Sequence, residues 1–156
     1  MSPWIHRAHA LIERLSGPAK DVARAQLYAA ARACEILDLK PSDIEENGFV
    51  CINARKGSSS RTCYLPHLVP YRRRAIALET QRVFAGFTYG KYRAALLNAA
   101  DGVIPSTGEH YIFSNTFRRA AAELARGLAK GDVRVAQYTL GHKSLRSTQY
   151  YLTKKG

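Results

Sequence analysis

Between residues 43 and 66 the chain changes period, and this change constrains its fold more than any other feature. FVCIN (49–53) and RTCYLP (61–66) are extended runs, and KGSSS (56–60) between them is a turn signal. Together they predict a β-hairpin. The flanking segments instead repeat their apolar residues at helical spacing. From Pro3 to about Leu15 the stripe is Trp4, Ile5, Ala8, Leu11, Ile12 and Leu15, with Ser2 as N-cap. Ser16-Gly17-Pro18 ends that helix, and Pro18 suits the first turn of a second, whose alanine-rich body runs through LYAAARACEILDL (27–39). Helical signals return after Pro70 in RRRAIALETQRVF, YGKYRAALLNAA and NTFRRAAAELARGL, the last capped by Ser114 or Asn115. DVRVAQYTLGH closes the series, with Asp132 near its start and Gly141 fit to end it. The expected class is mainly α with a small antiparallel β-sheet (α+β).

At 156 residues and 46% apolar content the chain can bury one ordinary core, so a single domain over 1–156 is expected. Twenty-four Lys+Arg against 12 Asp+Glu give a formal charge of +12, which predicts a polyanionic partner. Charge alone does not separate nucleic acid from an anionic membrane face. The sequence has no apolar run of about 18 residues, and its first residues, MSPWIHRAHALIERL, carry charges within an amphipathic pattern rather than a signal peptide. No membrane partner and a cytoplasmic location are the expectation. Cys34, Cys51 and Cys63 lack metal-binding spacing and read as reduced, mostly buried apolar residues; no metal is expected.

The basic residues are unevenly placed. From Cys51 to Arg93 there are nine (Arg55, Lys56, Arg61, Arg72, Arg73, Arg74, Arg82, Lys91 and Arg93) against one acid, Glu79. Such a cluster is either a solvated face or a surface that holds a phosphate backbone. Arg55, Arg61, Arg72, Arg73, Arg74, Lys91 and Arg93 are the candidate DNA contacts. Four further spots carry phosphate-competent chemistry: Arg32 with Glu35 one turn later, Lys56 at the hairpin turn, Arg118-Arg119, and His142 with Tyr150 and Tyr151. Each has an ordinary explanation alone, as an ion pair, a turn lysine, a basic helix face, or aromatic packing.

In this order the residues resemble the tyrosine recombinases, the family of phage-type integrases and Xer recombinases. Arg32-Ala33-Cys34-Glu35 is similar to that family's G-x-R-x-x-E, with alanines where its glycine stands, and LDLKPSDI follows as L-x-L-x-x-x-D-I would. Lys56 lies 24 residues beyond Arg32, and KGSSSR resembles the family's hairpin K-G-x-x-x-R. Phe117-Arg118 stands where the family has Leu-Arg in H-x-x-R, which puts Asn115 in the histidine slot; Arg119 fits that motif less well, and His110 lies too far upstream. L-G-H recurs at Leu140-Gly141-His142, and a threonine precedes the tyrosine, with nine residues from His142 to Tyr151. That register selects Tyr151 as nucleophile and leaves Tyr150 as its neighbour. The likeness runs roughly from Pro18 to Tyr151 and covers the catalytic half of a typical member. The N-terminal DNA-clamping domain, and the helix that follows the tyrosine, are expected to be absent.

The resemblance implies a DNA strand-exchange enzyme that needs neither metal nor other cofactor. Its partner would be double-stranded DNA, together with self-association on DNA or an accessory recombinase. Arg32 and Arg118 would hold the non-bridging oxygens of the scissile phosphate. Lys56 would protonate the leaving 5′-hydroxyl, His142 would bond the phosphate or take the tyrosine's proton, and Asn115 could donate to the phosphate without shuttling a proton. The alternatives are a catalytically weak DNA-binding module on the same scaffold, a type IB topoisomerase-like nicking and rejoining enzyme, and a generic basic RNA-binding protein.

Overall fold

The computed structural model describes residues 3–53, 60–101 and 112–128. Six α-helices appear among them: α1 (Pro3–Arg14), α2 (Gly17–Ala29), α3 (Ala33–Leu37), α4 (Val69–Leu78), α5 (Tyr89–Ala99) and α6 (Ile112–Leu128). Strands β1 (Phe49–Ile52) and β2 (Arg61–Tyr64) stand between α3 and α4, and pair antiparallel with Val50 opposite Cys63 and Cys51 opposite Thr62. The expected class is therefore observed: helices with one small hairpin.

The helices pack through short side chains. α6 lies against α1, α2 and α5, while α1 and α2 also touch each other. Trp4, Ala8, Leu11 and Leu15 of α1 are buried, as are Val22, Ala23 and Leu27 of α2 and Phe117, Ala120 and Ala121 of α6. Alanine on the facing stripes lets the helix axes approach closely, and burial of a residue such as Leu11 stabilises the fold by roughly 1.5–3 kcal/mol. α5 joins this core through Tyr92 and Leu96, and β1 through Val50 and Ile52. β2 packs on α2, so the hairpin is anchored to the helical layer.

The entry to β1 needs glycine. Gly48 has φ +97°, and an added Cβ would stand 2.9 Å from Tyr64 Cε1 and 3.1 Å from the Pro66 backbone. The turn is closed by Gly48 N–H donating to the Glu45 carbonyl (2.9 Å) and by Phe49 N–H donating to Asn47 Oδ1 (3.2 Å).

Four expectations are corrected. The helix expected to run through LYAAARACEILDL is broken at Ala30–Arg32, because Ala30 turns left-handed (φ 53°, ψ 40°) and ends α2. The helix begun at RRRAIAL stops at Leu78, because Glu79 is also left-handed (φ 55°). α6 begins at Ile112, so Ser114 and Asn115 lie inside it rather than capping it. Cys51 is exposed and Cys34 and Cys63 only half-buried, since the strand alternation turns Cys51 outward; all three are free thiols. DVRVAQYTLGH lies outside the described residues.

Candidate functional site

The break between α2 and α3 is held by hydrogen bonds from three directions. The N–H groups of Ala30 and Ala31 both donate to the Gln26 carbonyl, the latter at 3.1 Å. Gln26 Nε2 returns a bond to the Ala31 carbonyl at 3.1 Å. Arg61, arriving from β2, donates to the Ala29 carbonyl from Nε (3.1 Å) and Nη2 (2.7 Å), and from Nη2 to the Ala30 carbonyl (3.0 Å). Its guanidinium thus satisfies carbonyls left open at the end of α2, where positive charge also meets the negative end of the helix dipole.

Arg32 follows at once, in extended conformation (φ −75°, ψ 151°), as the N-cap of α3. Glu35 Oε1 accepts from Arg32 N–H at 2.9 Å, the N3 half of a capping box whose N-cap is an arginine rather than the usual Ser or Thr. The second Glu35 oxygen lies 4.0 Å from Arg32 Nη1. Glu35's side chain is fully buried, while Arg32's is 28% exposed. Sequence spacing placed the acid one turn beyond the arginine on one helix; in the structure the acid fixes the main chain that carries it.

Arg118 is wholly buried on α6, and Arg119 nearly so. Arg119's guanidinium carbon sits 4.7 Å from the centre of the Trp4 ring, and Arg7 approaches the same ring to 5.2 Å. Arg119 therefore belongs to the contact between α6 and α1, a cation–π pairing of residues distant in sequence. α6, which carries Arg118, packs on α2, and Arg32 follows the end of that same helix.

The basic cluster divides. Arg72 Nη1 and Arg73 Nε each bond Glu46 at 2.6 Å, through its two carboxylate oxygens, and Arg73 Nη2 also meets that carboxylate. The hydrogen bond from Arg73, with the charges of both arginines, holds the exposed Glu46 carboxyl below its ordinary range. Arg74 and Lys91 line one open groove of about 300 Å³ with Tyr71, Phe84 and Phe87. Lys91 Nζ bonds the Gly86 carbonyl at 2.9 Å, and Arg93 is half-buried on the same helix. Arg82 stands 3.8 Å from Asp38.

Sequence reasoning missed Gln26 and read Arg61 as a DNA contact. Gln26 and Arg61 hold the turn before Arg32, and neither role leaves a local signal. Arg55, Lys56, His142, Tyr150 and Tyr151 lie outside the described residues, as does the side chain of Asn115. No helix among the described residues is long and apolar enough to cross a membrane.

The architecture defines a fold class: a mainly helical domain with, among the described residues, one small hairpin. Among solved structures it is similar to the crystal structure of XerA recombinase, with a TM-score of 0.70 over 96% of this chain at 20% sequence identity. The chain spans 59% of the length of that recombinase. No protein-family model matches the sequence. No curated protein matches it either.

Proposed function

We propose that this chain is the catalytic part of a tyrosine-type site-specific DNA recombinase or integrase, acting on double-stranded DNA through a covalent 3′-phosphotyrosyl intermediate. The observation that carries the proposal is the turn before Arg32, in a fold similar to that of a recombinase. A partly exposed guanidinium there stands on a main chain fixed by Glu35 and Arg61. A phosphodiester gains negative charge at its non-bridging oxygens during attack, and a guanidinium held in advance stabilises that charge without reorganising.

In this reading Tyr151 Oη forms a bond to phosphorus as the bond from phosphorus to the 5′-oxygen breaks. Arg32 and Arg118 hold the non-bridging oxygens. Lys56 delivers a proton to the departing 5′-oxygen, and the proton of Tyr151 passes to His142 or to water. Nearby positive charge favours the phenolate of a tyrosine whose ordinary pKa is about 10. The phosphodiester's energy is kept in the protein link, so rejoining requires no nucleotide cofactor. Tyr150 is the neighbour of the nucleophile, Asn115 a supporting donor, and Arg55, Arg72, Arg73, Arg74, Lys91 and Arg93 are backbone contacts. Partner subunits, of this chain or of an accessory recombinase, would supply the second strand cut.

A second reading has its own observation. Arg118 is fully buried, which suits a structural arginine in a DNA-binding module without strand cleavage. Incubation with nicked duplexes that release a short fragment on cleavage separates the two: the enzyme accumulates a covalent adduct, and the module binds without one. Relaxation of supercoiled plasmid without sequence requirement would instead point to a topoisomerase-like activity.

A further inference from the structure

We propose that Arg61 is a positioning residue for Arg32, rather than one of the cations that contact DNA. The inference rests on the recombinase reading above. Arg61 is the first residue of β2, 32 positions beyond Ala29, yet its guanidinium makes three hydrogen bonds to the carbonyls of Ala29 and Ala30. Those carbonyls end α2 at a left-handed alanine, a conformation unfavourable to a non-glycine residue that persists only where surrounding contacts fix it. Arg32 is two residues further on.

Gln26 fastens the Ala31 carbonyl and Glu35 the Arg32 N–H, and Arg61 adds a fixed point at the carbonyls of Ala29 and Ala30. It also joins the hairpin to the phosphate-holding arginine. The consequence is specific. Loss of the fork loosens the aim of Arg32, while the phosphate contacts that set DNA affinity stay as they were.

Arg61→Lys is the informative variant, since a single ammonium keeps the charge but cannot reproduce a planar fork across two carbonyls. Arg61→Ala and Arg32→Ala accompany it, each checked by thermal melting. On nicked suicide duplex, adduct formation by Arg61→Lys should fall by about 10–100-fold, as expected when a reacting group is misplaced by about 1 Å. Its DNA affinity and salt dependence should match wild type. A duplex with a methylphosphonate at the scissile position lacks the charged oxygen that Arg32 serves, so it should restore Arg61→Lys and Arg32→Ala together.

A salt slope reduced by about 1 in Arg61→Ala, with near-normal cleavage by Arg61→Lys, would make Arg61 a phosphate contact and overturn the proposal. So would a cleavage defect that persists on methylphosphonate while Arg32→Ala is rescued. Wild-type protein that binds these duplexes and forms no adduct on any of them would instead overturn the recombinase reading, and this inference with it.

Discussion

Tyr92 on α5 donates its hydroxyl to Gln26 Oε1 on α2 at 2.5 Å, and both residues are fully buried. Burial pushes the Tyr92 phenol well above its ordinary range, so it stays a donor at any working pH. Through Gln26 Nε2 the same link reaches the Ala31 carbonyl, one residue before Arg32. Tyr92→Phe would keep the ring and strand a buried amide oxygen. The expected loss is about 1–3 kcal/mol of stability, read from urea unfolding at neutral pH. A loss within about 0.3 kcal/mol would mean the bond adds nothing.

Two helices end where no sequence rule places an end. Ala30 and Glu79 both take positive φ, and neither alanine nor glutamate signals this, whereas glycine in either place would have. The hairpin was legible because its period differs from that of its neighbours, and the buried stripe of α1 because Trp4, Ala8, Leu11 and Leu15 recur at helical spacing. The pairing of Arg32 with Glu35 was legible as a spacing of three residues, though the turn that separates them from α2 was not. Arg61's bonds were hidden for a different reason: the partners are main-chain carbonyls 31 and 32 residues away, which no side-chain pattern reveals.

Glu79 offers a direct test of the strain argument. It is exposed and ends α4, with its N–H already bonded to the Ala75 and Ile76 carbonyls. Glu79→Gly removes the penalty without removing a buried group. Stability should rise by about 0.5–1 kcal/mol, measured by chemical denaturation. Ala30→Gly should gain less, because the buried alanine methyl is lost with the strain.

His67 predicts a pH dependence. Burial lowers its pKa and Arg24 lowers it further, against the opposing bond from Nε2 to the Asp21 carbonyl (3.1 Å) and the Asp21 charge. A histidine with a lowered folded pKa favours the native state above its unfolded pKa of about 6.5. That contribution is lost as pH falls from there through the folded value, because the unfolded chain binds the proton first. Between pH 7.5 and 5.5 the wild-type denaturation midpoint should therefore fall more than that of His67→Gln. Equal falls would remove His67 from the acid response.

Glu46 restrains two arginines of the basic cluster, and in the proposed reading DNA phosphates compete with it for Arg72 and Arg73. Glu46→Ala should tighten binding to duplex DNA several-fold at moderate salt. It should also steepen the dependence of log affinity on log salt by about 1–2, as freed cations displace counterions. Unchanged affinity and slope would place this pair of arginines away from the DNA.

The proposed mechanism requires a covalent bond between Tyr151 and a 3′-phosphate, and finding the residue that carries the nucleotide tests it. Adduct formed on a suicide duplex, digested with protease and nuclease and sequenced by mass spectrometry, should yield a peptide with the nucleotide on Tyr151, and Tyr151→Phe should yield none. A nucleotide on Tyr150 or any other residue, or protein bound to that duplex with no modified peptide, would contradict the account.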